Sequence, residues 1–300
     1  MTKQVLRSWE MYFLAAVLFL PQITWARQIN IGSIGSNPTR EIEKFLPLAR
    51  YLGGQLQSEG INQGKVVVAR GIPQMAALIR EGKVDLYIDS PFPSIAVSRL
   101  SGSKFLLRRW KKGIGEYRTV IFVRKDSGVK KVDDLKGKII AFDDPFSSSG
   151  YFFPKMALVQ KGLALVPRRR SSDPVDAHEV GYVFSYSDDN TIVWVLRRKV
   201  LAGAIDNQTY LKEGKRYFDR LKIICETFSI PRQIVSYRAD LTAKLVARIK
   251  EILTKMDRSK EGKKTLRSFG KTTKFDELPN QSVASLLKAG KYIDAELGIK

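Results

Sequence analysis

Short apolar runs alternate with helix-like segments along the chain, and this alternation limits the possible folds more than any other feature of the sequence. Residues 27–34, 65–69 and 84–89 have the pattern of strands, and the segments at 40–57 and 72–81 between them carry apolar side chains at helical spacing. The same order of strand and helix returns in the second half of the chain. Strands that alternate with helices predict a parallel α/β sheet, whose ligands bind at the carboxyl ends of the strands.

Two long extended runs, residues 116–124 and 230–238, separate the chain into two such α/β units. We therefore predict two lobes around a cleft. Lobe 1 is expected to contain residues 27–118 and 231–300, and lobe 2 residues 119–230. Two strands that cross between lobes can act as hinges, so the lobes are expected to close around a ligand.

A secretory signal peptide is predicted at residues 1–26. Lys3 and Arg7 precede an apolar run at 11–20, and small residues in the triplet 24–26 predict cleavage at its end. An uncleaved membrane anchor is the alternative, but an apolar run of ten residues is short for a bilayer span. We therefore expect a periplasmic protein that contacts the membrane only through a partner.

The formal net charge is +22, and it remains +21 without residues 1–26, which hold two basic residues and one acidic residue. Such a charge raises the encounter rate with anions of every kind. The basic residues are scattered, however, and no nucleic-acid-binding motif accompanies them. Nucleic acid is therefore not an expected partner, and the basic clusters at 108–112, 168–170 and 197–199 are predicted to be solvated surface.

The most specific functional feature is a run of three serines, Ser147, Ser148 and Ser149, between a predicted strand at 137–142 and a predicted helix at 151–163. A helix N-terminus presents unpaired N–H groups and a partial positive charge, which favour anions. Serine hydroxyls can donate to the same anion. The alternative is that these serines only cap their own helix. The pattern indicates an oxyanion site or a cap at this turn.

Several segments of the chain resemble the periplasmic phosphate-, phosphite- and phosphonate-binding proteins of ABC transporters. Residues 144–151, together with Pro154, are similar to the family's Ser-Thr-Ser-Gly turn, and residues 117–128 are similar to the strand and turn that precede it. Residues 82–91 resemble the family's turn in lobe 1, and residues 203–206 resemble a strand end that reaches the ligand cleft. The resemblance covers about residues 28–255. It implies the type 2 periplasmic-binding-protein fold, with two lobes of mixed sheets flanked by helices and two hinge strands.

The resemblance also implies which residues contact the ligand. The serine hydroxyls, with the N–H groups of Gly150 and Tyr151, hold the oxyanion from lobe 2, and Ser90 and Ser94 complete the cage from lobe 1. Asp206 accepts a hydrogen bond from a protonated oxygen or an amine of the ligand. The expected ligand-binding residues are Ser147, Ser148, Ser149, Gly150, Tyr151, Ser90, Ser94, Asp206, Asp188 and Tyr87. The two tyrosines of this set are expected to wall the pocket.

Three positions depart from the family pattern. Ser94 lies where the family has an aromatic hydroxyl, Phe146 replaces a glycine, and Asp188 lies near the position of a family histidine. A carboxylate at 188 repels a dianion unless it is protonated or binds an ammonium group of the ligand. The single histidine, His178, lies earlier in the chain and is predicted to be in a surface loop.

We expect a protein that captures a small oxyanion (a phosphonate, phosphite or phosphate) in the cleft and delivers it to an ABC permease. The alternative is a sensor that presents its bound state to a membrane receptor such as a histidine kinase. An enzyme is not expected, because Cys225 has no neighbouring histidine and the sequence has no glycine-rich nucleotide loop. The aspartate pairs at 143–144 and 188–189 are predicted to cap helices or turns, so no metal or cofactor is expected. The protein is expected to be a monomer.

Overall fold

The structure, a computed structural model, describes residues 27–214, 216–217 and 219–298, so the predicted signal peptide lies outside the described residues. In chain order the strands are β1 (Arg27–Ile34), β2 (Ile61–Ala69), β3 (Leu86–Asp89), β4 (Lys104–Lys111), β5 (Glu116–Tyr117), β6 (Thr119–Arg124), β7 (Lys138–Phe142), β8 (Ala164–Pro167), β9 (Glu179–Phe184), β10 (Ala202–Asp206), β11 (Leu221–Glu226), β12 (Ile230–Pro231), β13 (Gln233–Tyr237) and β14 (Thr272–Asp276). The α-helices are α1 (Pro38–Gln55), α2 (Ile72–Arg80), α3 (Pro91–Ser101), α4 (Phe153–Gln160), α5 (Asp188–Leu196), α6 (Asn207–Gly214), α7 (Ala243–Lys255), α8 (Lys260–Ser268) and α9 (Asn280–Leu297). Of these helices, none combines the length and the apolar composition needed to cross a bilayer.

The described strands form two six-stranded mixed sheets and one two-stranded ribbon. The first sheet has the order β14-β4-β13-β3-β1-β2, with β1 parallel to both β2 and β3. The second has the order β11-β6-β10-β7-β9-β8, with β7 parallel to both β9 and β10. The ribbon pairs β5 with β12, where the chain passes from one sheet to the other. This is the predicted mixed α/β architecture with two sheets flanked by helices.

The first sheet is built from strands before residue 112 and after residue 232, and the second from strands between residues 119 and 226. We call these two halves lobe 1 and lobe 2, with the bounds proposed from the sequence. The C-terminal helix α9 contacts both halves. Arg99 of α3 forms an ion pair with Asp294 of α9, and Lys155 of α4 forms one with Glu296 at 2.7 Å. The last helix therefore connects the two lobes.

One basic cluster that was predicted to be solvated surface contains a buried arginine, so that prediction is wrong for Arg109. Arg109 lies in β4 with no exposed surface. Its guanidinium donates to Thr272 Oγ1 and to the Phe269 carbonyl, both at 2.8 Å, and lies 3.8 Å from the centre of the Phe269 ring. Burial lowers the pKa of Arg109 to about 9. Uncharged oxygen atoms accept the hydrogen bonds of this cation. A run of basic residues in the sequence does not reveal such acceptors, because they lie far away along the chain.

Strands β4, β8, β9 and β14 are absent from the sequence prediction, which also assigned only residues 65–69 of β2 to a strand. In the structure β14, β8 and β2 are edge strands, and β2 has a mixed pattern of exposed and buried residues. An edge strand covered on one face needs few apolar residues, so its sequence signal is weak. The extended run 116–124 is also not one strand, because it breaks at Arg118 into β5 and β6.

Close packing of α1 on β2 gives a sharp test of the fold. A Cβ added to Gly64 would lie 1.7 Å from the Ala49 carbonyl oxygen, whereas one added to Gly54 would meet no atom within 4 Å. We expect Gly64→Ala to lower the free energy of unfolding by about 3 kcal/mol, because helix and strand must separate. Gly54→Ala is the control and should raise it by about 0.5–1 kcal/mol through helix propensity. Urea unfolding measures both, and equal stability of the two variants would contradict this packing.

Candidate ligand-binding site

A cavity of about 760 Å³ opens between the two sheets, at the carboxyl ends of β1, β3, β7 and β10. This is where the topology of a parallel α/β sheet places a ligand. Lobe 1 contributes Ile34, Gly35, Ser36, Arg70, Asp89 and Ser90, the crossing segments contribute Tyr117 and Arg232, and lobe 2 contributes Asp143, Asp144, Pro145, Phe146, Ser147, Ser148, Ser149, Tyr186, Asp188 and Asp206.

The three serines line this cavity from a tight turn between β7 and α4. The Asp143 N–H donates to the Gly150 carbonyl at 2.9 Å, and Ser147 Oγ accepts from the Gly150 N–H at 3.0 Å. One π-helical turn, Ser148–Phe152, then leads into α4. Ser147 is therefore a helix cap, as the alternative interpretation proposed. The same turn nevertheless presents all three serines to the cavity.

Ser148 connects the two lobes beside the cavity. Its side chain is buried, and its hydroxyl donates to Ser90 Oγ and accepts from the Phe92 N–H, both at 2.9 Å. Phe92 lies in the first turn of α3, so a hydroxyl of lobe 2 caps a helix of lobe 1. The Phe92 ring stacks on Phe152, with centroids 4.4 Å apart. Because Ser148 donates to Ser90, the Ser90 O–H can itself donate into the cavity.

Ser149 and two residues of the crossing segments, Tyr117 and Arg232, form one side of the cavity. Thr119 Oγ1 donates to the Ser149 carbonyl at 2.8 Å, and the Arg232 guanidinium lies 4.5 Å from the centre of the Tyr117 ring. Burial raises the pKa of Tyr117, although Arg232 and a hydrogen bond with Ser149 oppose that effect. Tyr117 therefore remains neutral at pH 7 and holds Arg232 against the cavity.

Carboxylates dominate the charge of the cavity. The charged lining residues are Asp89, Asp143, Asp144, Asp188 and Asp206, against Arg70 and Arg232. Burial, followed by repulsion from Asp143 and Asp206, raises the pKa of Asp188 to about 7. Burial, followed by the charge of Asp144, raises the pKa of Asp143 to about 6. At neutral pH the wall is negative, and the raised pKa of Asp188 favours its protonated form more than in a free aspartate.

Asp206 and the two arginines of the cavity differ in their hydrogen-bond partners. The Asp206 carboxylate accepts from the N–H groups of Gln208 and Thr209, at 2.9 and 3.1 Å, and so caps α6. Within the part of the chain that the structure describes, neither Arg70 nor Arg232 forms an ion pair. Both arginines can therefore bind an anionic group of a ligand.

Two residues predicted to contact the ligand from lobe 1 lie behind the cavity wall. Tyr87 is buried in β3, and its hydroxyl donates to Asp89 Oδ2 at 2.8 Å. Ser94 is buried in α3, and its hydroxyl donates to the Asp89 carbonyl at 3.2 Å. Neither lines the cavity. Both instead position Asp89, which does line it.

Two predicted residues of the serine turn also do not line the cavity. The Gly150 N–H is already bonded to Ser147 Oγ. The Tyr151 hydroxyl forms a hydrogen bond with Glu296 of α9 and accepts one from Lys155 at 2.9 Å. A π-helical turn contains more residues than an α-helical turn, which changes the direction of the side chains that follow. Tyr151 therefore packs between lobe 2 and α9 rather than against a ligand.

Several cavity residues were not predicted from the sequence, chiefly Arg70, Asp89, Arg232 and Tyr186. Arg70 directly follows β2 and Asp89 is the last residue of β3. Both residues could have been predicted, because the alternation of strands and helices already indicated that ligands bind at the carboxyl ends of the strands. Arg232 and Tyr186 lie in irregular segments, where no such rule applies.

No group of three or more His, Cys, Asp or Glu side chains is arranged to hold a metal ion within the described residues. Asp188 is the first residue of α5, but the N-cap is Ser187, whose side chain accepts from the Asn190 N–H, so the aspartate pair itself does not cap this helix. His178 is exposed, which confirms its predicted surface position.

The sequence is similar to that of a curated sensor protein. The chain is 30% identical over 203 residues to the tetrathionate sensor histidine kinase TtrS of Salmonella typhimurium, covering 64% of this chain and 31% of that protein. The chain thus spans about a third of the length of this curated relative. Because the match covers less than a third of the kinase, the activity of the whole kinase cannot be assigned to this chain.

The structure resembles XAC2383 from Xanthomonas citri, solved bound to ATP, with a TM-score of 0.82, 23% identity, and coverage of 90% of this chain and 98% of that one. It also resembles PhnD1 from Prochlorococcus marinus in complex with methylphosphonate, with a TM-score of 0.62, 19% identity, and coverage of 91% and 98%. These likenesses establish the type 2 periplasmic-binding-protein fold. The family model of the phosphonate ABC transporter periplasmic substrate-binding protein matches residues 35–282, which is most of the chain. The chain therefore belongs to this family of extracytoplasmic, non-enzymatic solute-binding proteins.

Proposed function

We propose that this protein captures a small organic oxyanion that also carries an ammonium group, in the cavity between its lobes and outside the cytoplasm. The observation that supports this most is the combination of the serine turn with a wall of five carboxylates around one cavity. A phosphonate with an amine substituent has the matching chemistry. The predicted signal peptide at residues 1–26 supports export to the periplasm.

The oxyanion part of the proposal depends on the donors around the cavity. Ser147 and Ser149 of the serine turn, the Ser90 hydroxyl and the guanidinium groups of Arg70 and Arg232 line the cavity, whereas the Ser148 hydroxyl already donates to Ser90. Charge-assisted hydrogen bonds from arginine to an oxyanion are stronger than neutral ones. The net charge of +22 adds a long-range attraction for anions.

The ammonium part depends on the carboxylates. An inorganic dianion such as phosphate meets a negative wall in which Asp188 takes the place of a family histidine. The raised pKa of Asp188, about 7, arises partly from the neighbouring charges of Asp143 and Asp206. An ammonium group placed among these three carboxylates relieves their repulsion, and hydrogen bonds to charged groups are the strong ones.

Delivery to an ABC permease is the proposed use of the captured solute, as the family implies. We further propose that the protein does this as a monomer. A sensory role is the second candidate, and the similarity to the sensor histidine kinase TtrS favours it. Crosslinking in cells, followed by identification of the membrane partner, distinguishes the transport role from the sensory role. Recovery of a permease supports transport, and recovery of a histidine kinase supports sensing.

Calorimetry at pH 7 tests the proposed ligand class with phosphate, phosphite, methylphosphonate and 2-aminoethylphosphonate. We expect 2-aminoethylphosphonate to bind about tenfold or more tightly than methylphosphonate, because only the former pairs with the carboxylate wall. Phosphate, as a dianion without an ammonium group, should bind more weakly still. Absence of heat with every one of these ligands contradicts the proposal.

A further inference from the structure

The cavity is much larger than the group that the serine turn can hold. Its volume is about 760 Å³. A tetrahedral oxyanion occupies roughly the space of two or three water molecules, about 60–90 Å³, and a short amine substituent adds about as much again. Cavities of about 300–1,000 Å³ hold ligands of the size of a drug. Most of the cavity therefore remains for another part of the ligand.

Tyr186 is one of two aromatic residues that line the solvent side of this space. It is 72% exposed and has a left-handed backbone with φ of 61°, which is uncommon for a bulky residue. The backbone on both sides is fixed. The Tyr186 N–H donates to the Asp143 carbonyl at 2.7 Å, Ser185 Oγ donates to the Phe142 carbonyl at 3.0 Å, and Ser187 caps α5. The loop thus holds an aromatic ring at the mouth of the cavity instead of burying it.

Phe146 is the second aromatic residue at the mouth. It is 41% exposed, and its N–H donates to Asp144 Oδ1 at 2.7 Å, which fixes the turn that carries it. Its ring reaches toward lobe 1, because a Cβ added to Gly71 would lie 3.7 Å from Phe146 Cζ. Ile34 of lobe 1 also lines the cavity. The mouth therefore offers aromatic and aliphatic surface from both lobes.

We propose that the mouth of the cavity is a second subsite, which binds a flat apolar group of the ligand against Tyr186 and Phe146. The natural solute is then an oxyanion that carries a ring or an apolar substituent of similar size, rather than only a methyl or aminoethyl group. Aromatic rings gain from stacked and edge-to-face contacts beyond the burial of area alone. This inference rests on the proposed function, because it describes another part of the same ligand.

Two ligands that differ by one ring test this subsite. Aminomethylphosphonate and amino(phenyl)methylphosphonate both carry a phosphonate and an ammonium group. We expect the phenyl compound to bind the wild-type protein about tenfold or more tightly, and we expect Tyr186→Ala to lower the ratio of the two affinities to about three, because Phe146 remains. Tyr186→Phe keeps the ring and should keep the ratio. Leu287→Ala is the matched control, because Leu287 is 70% exposed on α9 and does not line the cavity.

Calorimetry with both ligands on all four proteins gives distinct outcomes. Equal affinities for the two ligands in the wild-type protein, or a ratio that Tyr186→Ala leaves unchanged, overturn the subsite and leave the proposed function standing. Failure of both ligands to bind the wild-type protein overturns the proposed function and the subsite together. A ratio that Tyr186→Ala lowers and Tyr186→Phe retains supports the subsite.

Discussion

Gly150→Ala is expected to weaken binding of 2-aminoethylphosphonate by more than about 100-fold, because overpacking at this position distorts the serine turn. A Cβ at residue 150 would lie 2.3 Å from Asp143 Cβ and 2.8 Å from Ser147 Oγ. Asp143 and Ser147 are the residues whose hydrogen bonds to Gly150 close the turn. The added methyl group must therefore displace the backbone that presents Ser147, Ser148 and Ser149 to the cavity.

The same substitution should lower the free energy of unfolding by about 2 kcal/mol, because local overpacking of this kind usually costs 1–3 kcal/mol and leaves the fold intact. Gly290→Ala in α9 is the control, since a Cβ added there meets no atom within 4 Å. Calorimetry and urea unfolding on both variants make the test. Binding of wild-type strength in a folded Gly150→Ala protein would contradict the role of the serine turn.

Asp188→Asn is expected to stabilise the protein at pH 8 while reducing its affinity for ligands with an ammonium group. The pKa of Asp188 rises from 3.8 to about 7 on folding. Between these values the folded state holds more protons than the unfolded state, so the free energy of unfolding falls as the pH rises from about 4 to about 7. The destabilisation is absent below pH 4 and complete above pH 7. Replacing the carboxyl group of Asp188 by an uncharged amide should therefore abolish this destabilisation.

The expected gain for Asp188→Asn at pH 8 is about 2 kcal/mol, with little difference at pH 4. This is less than the full shift in pKa implies, because Asp143 and Asp206 share the repulsion. Asp189→Asn, at the exposed neighbouring position on α5, is the matched control and should give no such pH-dependent gain. Urea unfolding at both pH values measures the effect. An Asp188→Asn protein that is no more stable than wild type at pH 8 would show that burial and the neighbouring carboxylates do not destabilise the charged form of Asp188.

Asp188→Asn should change the affinities for 2-aminoethylphosphonate and for phosphate in opposite directions. The affinity for 2-aminoethylphosphonate is expected to fall about tenfold, and the affinity for phosphate is expected to rise, because one negative charge leaves the wall. A carboxylate that costs stability and selects the ligand is typical of a functional site. If both ligands bind more tightly to the variant, the carboxylate wall has no part in recognising an ammonium group.

The general architecture was predictable because local sequence rules determine it. The apolar run that becomes β7, followed by three serines and a helix, could only form a strand-to-helix turn. Such turns lie at the carboxyl ends of parallel strands, so the position of the cleft followed. The departure at Asp188 from the family pattern predicted a carboxylate beside the ligand, and Asp188 does line the cavity, although its contact with a ligand stays a prediction.

The direction of individual side chains was not predictable from the sequence. Whether Ser148 contacts a ligand or a helix of the other lobe depends on how the two lobes meet, and only the folded chain brings its hydroxyl to Phe92 N–H. The π-helical turn that directs Tyr151 toward Glu296 likewise has no clear sequence signal. Arg108 and Arg109 are neighbouring arginines, yet only the Arg109 side chain is fully buried and donates to uncharged acceptors.

The central claim is that the serine turn and the carboxylate wall bind the two ends of one ligand. A crystal structure of the protein with 2-aminoethylphosphonate tests this most directly. We expect a phosphonate oxygen within about 3 Å of Ser90 Oγ or a donor of the serine turn, and the amine within the same distance of Asp188 or Asp206. A ligand bound outside the cavity between the lobes, or one whose phosphonate contacts the carboxylates while its amine faces the serines, would contradict the account.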